Sequence, residues 1–268
     1  MEFNSRFVLG IILINMKTQL AVEISENAVR FARLEDGSVV GVDFLRFTDK
    51  VDYRYKEVLD EFVKEKGYRE QLYDDYSLSW CSKLSTLLPS NVYNEVNSDA
   101  LMKLCFHQNI PTDTLDHNRI PELSIVNVFA IPLWVKSFFV IRFPRIVIQH
   151  EGSHILHGLL SKNAFSLQVG VVLHESVFSV TITKENGLKF YAYFEYESAD
   201  DIVYHLMFTL QQKELLNEKG IIHLCASVGT SDESVIAVKL LLDKLKDLKQ
   251  FNTKINSHLL LNFQSLCV

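Results

Sequence analysis

The feature that most limits the fold is an order of elements that occurs twice along the chain. Alternating apolar residues over 19–24 and 28–34, the turn Glu35-Asp36-Gly37 and a third run over 39–47 predict an antiparallel meander, because Asp-Gly between two period-2 runs is a strong hairpin signal. A helix follows, with Asp52 as its cap, Val58, Leu59, Phe62 and Val63 as its apolar stripe and Gly67 as its stop. Next come a short strand at 76–81, a helix at 99–107 capped by Ser98 and a buried strand at 124–130. The second half starts over: strands at 168–173 and 177–182, the turn Glu185-Asn186-Gly187 and a strand at 188–194. Ser198 and Asp201 open a helix in capping-box style, with Ile202, Val203, Leu206 and Leu210 facing inward and Gly220 at its end. A strand at 221–228 leads to a helix capped by Ser231 that carries Val235, Val238, Leu242 and Leu245. Gly37 matches Gly187, and Val40 and Phe44 match Phe190 and Phe194 in phase. A repeat of this length predicts a duplicated α/β (α+β) fold, two lobes each β-β-β-α-β-α. The expected bounds are an extension at 1–16, a first lobe at 17–150, a connecting helix at 151–164 and a second lobe at 165–268.

Bulk properties restrict function more by exclusion than by assignment. The 268 residues are 48% hydrophobic and 22% charged, enough to bury two cores. A net charge of −6 with no basic run gives no footprint for nucleic acid. Cys81, Cys105, Cys225 and Cys267 form no C-x-x-C pair and read as reduced thiols of a cytoplasmic protein. No apolar run reaches bilayer length, so no membrane insertion is expected. The short run at 7–14 is followed by Asn15-Met16-Lys17 rather than a small-residue cleavage site, so it reads as an extension or an added strand and not as an export signal.

The duplicated order is the plan of the actin-like ATPase superfamily, which has a ribonuclease H-like fold and includes sugar kinases, seventy-kilodalton chaperones and pilus-assembly actin homologues. A narrower likeness rests on four stretches: 84–89 followed by Val92 and Tyr93, 128–132, His150-Glu151-Gly152-Ser153 before an apolar helix, and 194–204. They occur in the order found in the bacterial family catalogued as domain of unknown function 3822, which the chain resembles over about residues 17–264. The resemblance implies an actin-like fold and a bacterial origin. It implies no activity.

In that superfamily two hairpin turns hold the nucleotide phosphates, using an Asp to manage Mg²⁺ and small residues that let backbone N–H groups approach. Here Glu23 stands where the first turn's Asp is expected, Ser25 where its Gly is expected, and Glu26 adds a charge. The second turn, Leu173-His174-Glu175-Ser176, has neither Asp nor Gly, and the glycine pair expected beside adenosine is reduced to Gly229. A carboxylate facing a polyphosphate costs on the order of 1 kcal/mol or more, so the site reads as degenerate. The sequence-based expectation is a non-catalytic protein with no cofactor, working through an unknown protein partner. The alternative is a divergent nucleotide-binding or kinase-like protein whose cleft is lined by Glu23, Asn27, Ser176 and Gly229.

His150-Glu151-Gly152-Ser153-His154 fits the H-E-x-x-H pattern, in which two histidines on one helical face bind zinc beside a glutamate base. The context argues otherwise. Residues 143–149 read as a strand running into His150, Gly152 weakens a helix spanning both histidines, and a helix starting at Ser153 is expected. His150 and His154 are therefore only weak metal candidates, and a zinc hydrolase is the least favoured class. Asp200-Asp201 reads as helix-start acids, Trp80 and Trp134 as core, and no G-x-S-x-G elbow is present.

Overall fold

A computed structural model describes residues 16–48, 52–163, 166–245 and 250–267. The extension read at 1–15 lies outside the described residues, as does the side chain of Asp52, the expected cap. In the first half, β1 (Thr18–Ile24), β2 (Ala28–Glu35) and β3 (Ser38–Arg46) form the meander. Then come α1 (Asp52–Glu65), β4 (Asp75–Trp80), an insertion, α3 (Leu133–Arg142), β8 (Val147–His150) and α4 (Glu151–Asn163). The insertion contains β5 (Ser85–Pro89), α2 (Ser98–Phe106), β6 (Leu115–Ile120) and β7 (Ile125–Ala130). The second half runs β9 (Leu167–Leu173), β10 (Val177–Lys184), β11 (Gly187–Glu195), α5 (Ala199–Gln212), β12 (Gly220–Ala226), α6 (Asp232–Lys244), β13 (Phe251–Ile255) and α7 (Leu259–Gln264).

The duplication is plain in the sheets. One has the order β3-β2-β1-β4-β8, the other β11-β10-β9-β12-β13, and the insertion forms a third, β5-β7-β6. In both five-stranded sheets the meander is antiparallel and the last three strands are parallel. Each sheet has its own apolar core, around Phe31, Trp80 and Phe139 in one and around Phe178, Leu206 and Val238 in the other. Both halves thus follow β-β-β-α-β-α, extended by one strand and one helix.

Several local expectations need correction. The helix at 99–107 and the strand at 124–130 belong to the insertion, and the counterpart of α6 is α3. That helix carries apolar residues on both sides: Trp134, Val135, Phe138 and Phe139 are buried while Leu133, Val140 and Ile141 are exposed, so its apolar residues mark no clean period in the sequence. Val58 is exposed rather than part of the α1 stripe. Ser98 is the first residue of α2 instead of its cap, and Gly220 opens β12 instead of closing α5. The paired turns also match one residue differently. Glu35 faces Ser38 and Lys184 faces Gly187, so Asp36-Gly37 corresponds to Glu185-Asn186. All four turn residues have positive φ, the conformation a two-residue hairpin needs. The caps on α5 and α6 are present: Ser198 and Asp201 form a capping box, and the Ser231 side chain accepts from the Glu233 N–H.

Helices α4 and α7 pack on each other between the two sheets. Ile155 and Leu159 of α4 meet Leu259, Leu260 and Phe263 of α7 over Val172 and Cys225, while Leu261 packs on Ala21, Ala32 and Leu34. Gly158 makes this crossing possible, since a side-chain carbon there would fall inside the Phe263 ring. Gly158→Ala should therefore destabilise the protein by about 2 kcal/mol or more, overpacking outweighing the roughly 1 kcal/mol helix-propensity gain. Urea unfolding with an unchanged or raised midpoint would show that α4 and α7 do not cross this closely.

Candidate functional site

The site lies where the turns of the two sheets meet. In the β1–β2 turn the Ser25 hydroxyl accepts from the Asn27 and Ala28 N–H groups, at 3.3 and 3.2 Å, so a side chain takes up the donors a phosphate would need. The β9–β10 turn closes with the His174 N–H on Val177 O, 2.8 Å. The turns hold each other. Asn27 Nδ2 donates to Glu175 Oε2 at 2.9 Å, Arg46 lies 3.6 Å from Glu175, and Arg46 also donates to Gly229 O. Gly229 has φ +92°, and a side-chain carbon there would sit 3.3 Å from Ala28 Cβ. Ala28, Cys81 and Val228 form an apolar contact at the floor.

The remaining cavity, about 350 Å³, is lined by Asn27, Ser176, Glu26, Lys83, His174 and Glu175 among others. Of the four sequence candidates, Asn27 and Ser176 line it. Gly229 lines a neighbouring cavity of about 400 Å³ with Arg30, Phe44 and Arg46. Glu23 lines neither cavity: it is 1% exposed and faces Arg30 across the β1–β2 ladder with 3.0 Å between Oε2 and Nη1. Burial pushes its carboxyl up from the ordinary value, Arg30 opposes this, and Glu151 adds to it. The candidates therefore do not converge on one ligand position.

A second buried group was read in the sequence only as the glutamate of the H-E-x-x-H pattern. Glu151, at the start of α4, is 1% exposed and lies 2.9 Å from His174 Nε2. It also accepts from the Tyr193 hydroxyl at 3.0 Å and from Ser227 Oγ at 3.3 Å. Burial pushes this carboxyl up, but His174, Tyr193 and His150 outweigh it and hold it below the ordinary carboxylate value. Burial likewise raises Tyr191 to about 12, and its hydroxyl shares a 3.0 Å hydrogen bond with Ser85 of the insertion. The sequence signal for Glu151 was its place in the H-E-x-x-H pattern, which names a base beside a metal and none of the partners it has here.

The H-E-x-x-H stretch begins on a strand. His150 closes β8, its Nε2 lies 2.8 Å from Ser82 O, and its Nδ1 accepts from the Gly152 N–H at 3.0 Å. Helix α4 starts at Glu151, two residues earlier than expected, with Gly152 in its first turn because Tyr191 leaves no room for a side chain there. His154 is fully buried on the same helix, and His157 reaches toward Glu122 instead, 3.7 Å away. Burial lowers His150 to about 4 and His154 to about 3. Among the described residues, no three His, Cys, Asp or Glu side chains are grouped to hold a metal ion.

Comparison with solved structures agrees with the sheet topology. A Bacteroides thetaiotaomicron VPI-5482 protein of actin-like ATPase fold and unknown function superposes with TM-score 0.71 at 15% identity, over 93% of this chain and 96% of that one. A chain of a PilM–PilN type IV pilus biogenesis complex superposes with TM-score 0.52 at 10% identity, over 93% and 97% of the two chains. A comparison with curated proteins returns no match. The chain has the actin-like ATPase fold, and the profile described as protein of unknown function (DUF3822) matches residues 11–245, so the chain belongs to that family.

Proposed function

We propose that the protein is a non-catalytic actin-like protein that acts by contact with another protein, the two turns of its inter-lobe cleft bridged by their own side chains. The observation that carries this reading is the Asn27–Glu175 bond between the two turns that would otherwise embrace a phosphate chain. Glu26 and Glu175 also line the cavity, a disfavoured setting for a triphosphate. On this reading residues 17–150 and 165–268 are the lobes and residues 151–164 join them. The protein stays in the cytoplasm, its four cysteines free, and among the described residues no helix is long and apolar enough to cross a membrane. A pilus-biogenesis complex among its structural neighbours fits an assembly role for such a fold. The role uses no cofactor and no nucleic acid.

Millimolar ATP with Mg²⁺ should leave the melting midpoint unmoved. A ligand at about a hundred times its dissociation constant would add roughly 2.7 kcal/mol, which such a curve resolves easily. A rise of several degrees that disappears in Glu23→Ala would replace this reading with a divergent nucleotide site.

A further inference from the structure

We draw no further inference here: the strongest candidate, the cavity of about 400 Å³ that Arg30, Phe44, Arg46 and the start of α6 line, carries nothing, because Glu23 and Glu175 already face its two guanidinium groups, Asp232 lines it with a further negative charge, and it adjoins the turns of the site already described.

Discussion

Glu151→Ala should lower the stability of the protein by about 3 kcal/mol, because it empties a buried position and takes the acceptor away from the donors that face it. The carboxylate belongs to the first half of the chain, while His174, Tyr193 and Ser227 belong to the second, so the substitution leaves three polar groups, Ser227 fully buried among them, facing a hole. Glu151→Gln should cost less, because its single amide oxygen can still accept at one of the two carboxylate positions, from Tyr193 or from Ser227, and the side chain still fills the space. The order wild type, glutamine, alanine in chemical denaturation is the expected result. If alanine is tolerated with a loss under about 1 kcal/mol, Glu151 is solvated and the halves are held by apolar packing alone.

How much of this was legible varies by element. The hairpins, the α5 capping box and the α6 cap were readable because each is fixed by residues adjacent in sequence: Asp36-Gly37, Ser198 with Asp201, and Ser231. The one-residue offset between the repeats was not. Glycine served as the marker, but the second turn places Glu185 and Asn186 in the left-handed region and leaves Gly187 to open β11. A slip of one residue exchanges the faces of a strand. Phe190 and Phe194 pack on the core, and their counterparts are Gly41 and Leu45; Val40 and Phe44, matched to them in sequence, are exposed.

The insertion was hidden for another reason. β5 and β6 are short, α3 has apolar residues on its exposed side as well, and the strand and helix that were read there matched the repeat only in type, not in sheet. In the site, the composition of the two turns was readable residue by residue. What they do to each other was not, because Asn27 and Glu175 are 148 positions apart and meet only once both sheets are formed. Glu151 and His174 were noticed separately, one as a would-be base and the other as a poor phosphate-turn residue. Only the packing of α4 against the second sheet joins them.

The protein should lose stability steeply as the pH falls from about 6.5 toward 4, and two histidines set that window. Burial holds His150 at about 4 and His154 at about 3, against an ordinary value of 6.5, so both remain neutral in the folded state. Across the window the unfolded chain binds more protons than the folded one, and stability then falls with decreasing pH. At about 1.4 kcal/mol per pH unit for each group, the pair accounts for several kcal/mol near pH 4. Glu151, held below the ordinary carboxylate value, extends the loss in the same direction at lower pH. Glu23 opposes it: burial raises its carboxyl, so the folded protein takes up that proton first and the slope is moderated. His154→Leu removes one of the two neutral imidazoles without adding charge and should flatten the dependence by roughly half. Melting midpoints at pH 7, 6, 5 and 4 for wild type and His154→Leu provide the comparison. Equal midpoints for the wild type from pH 7 to 4.5, or an undiminished slope in the leucine variant, would mean that these imidazoles reach solvent and take up protons without unfolding.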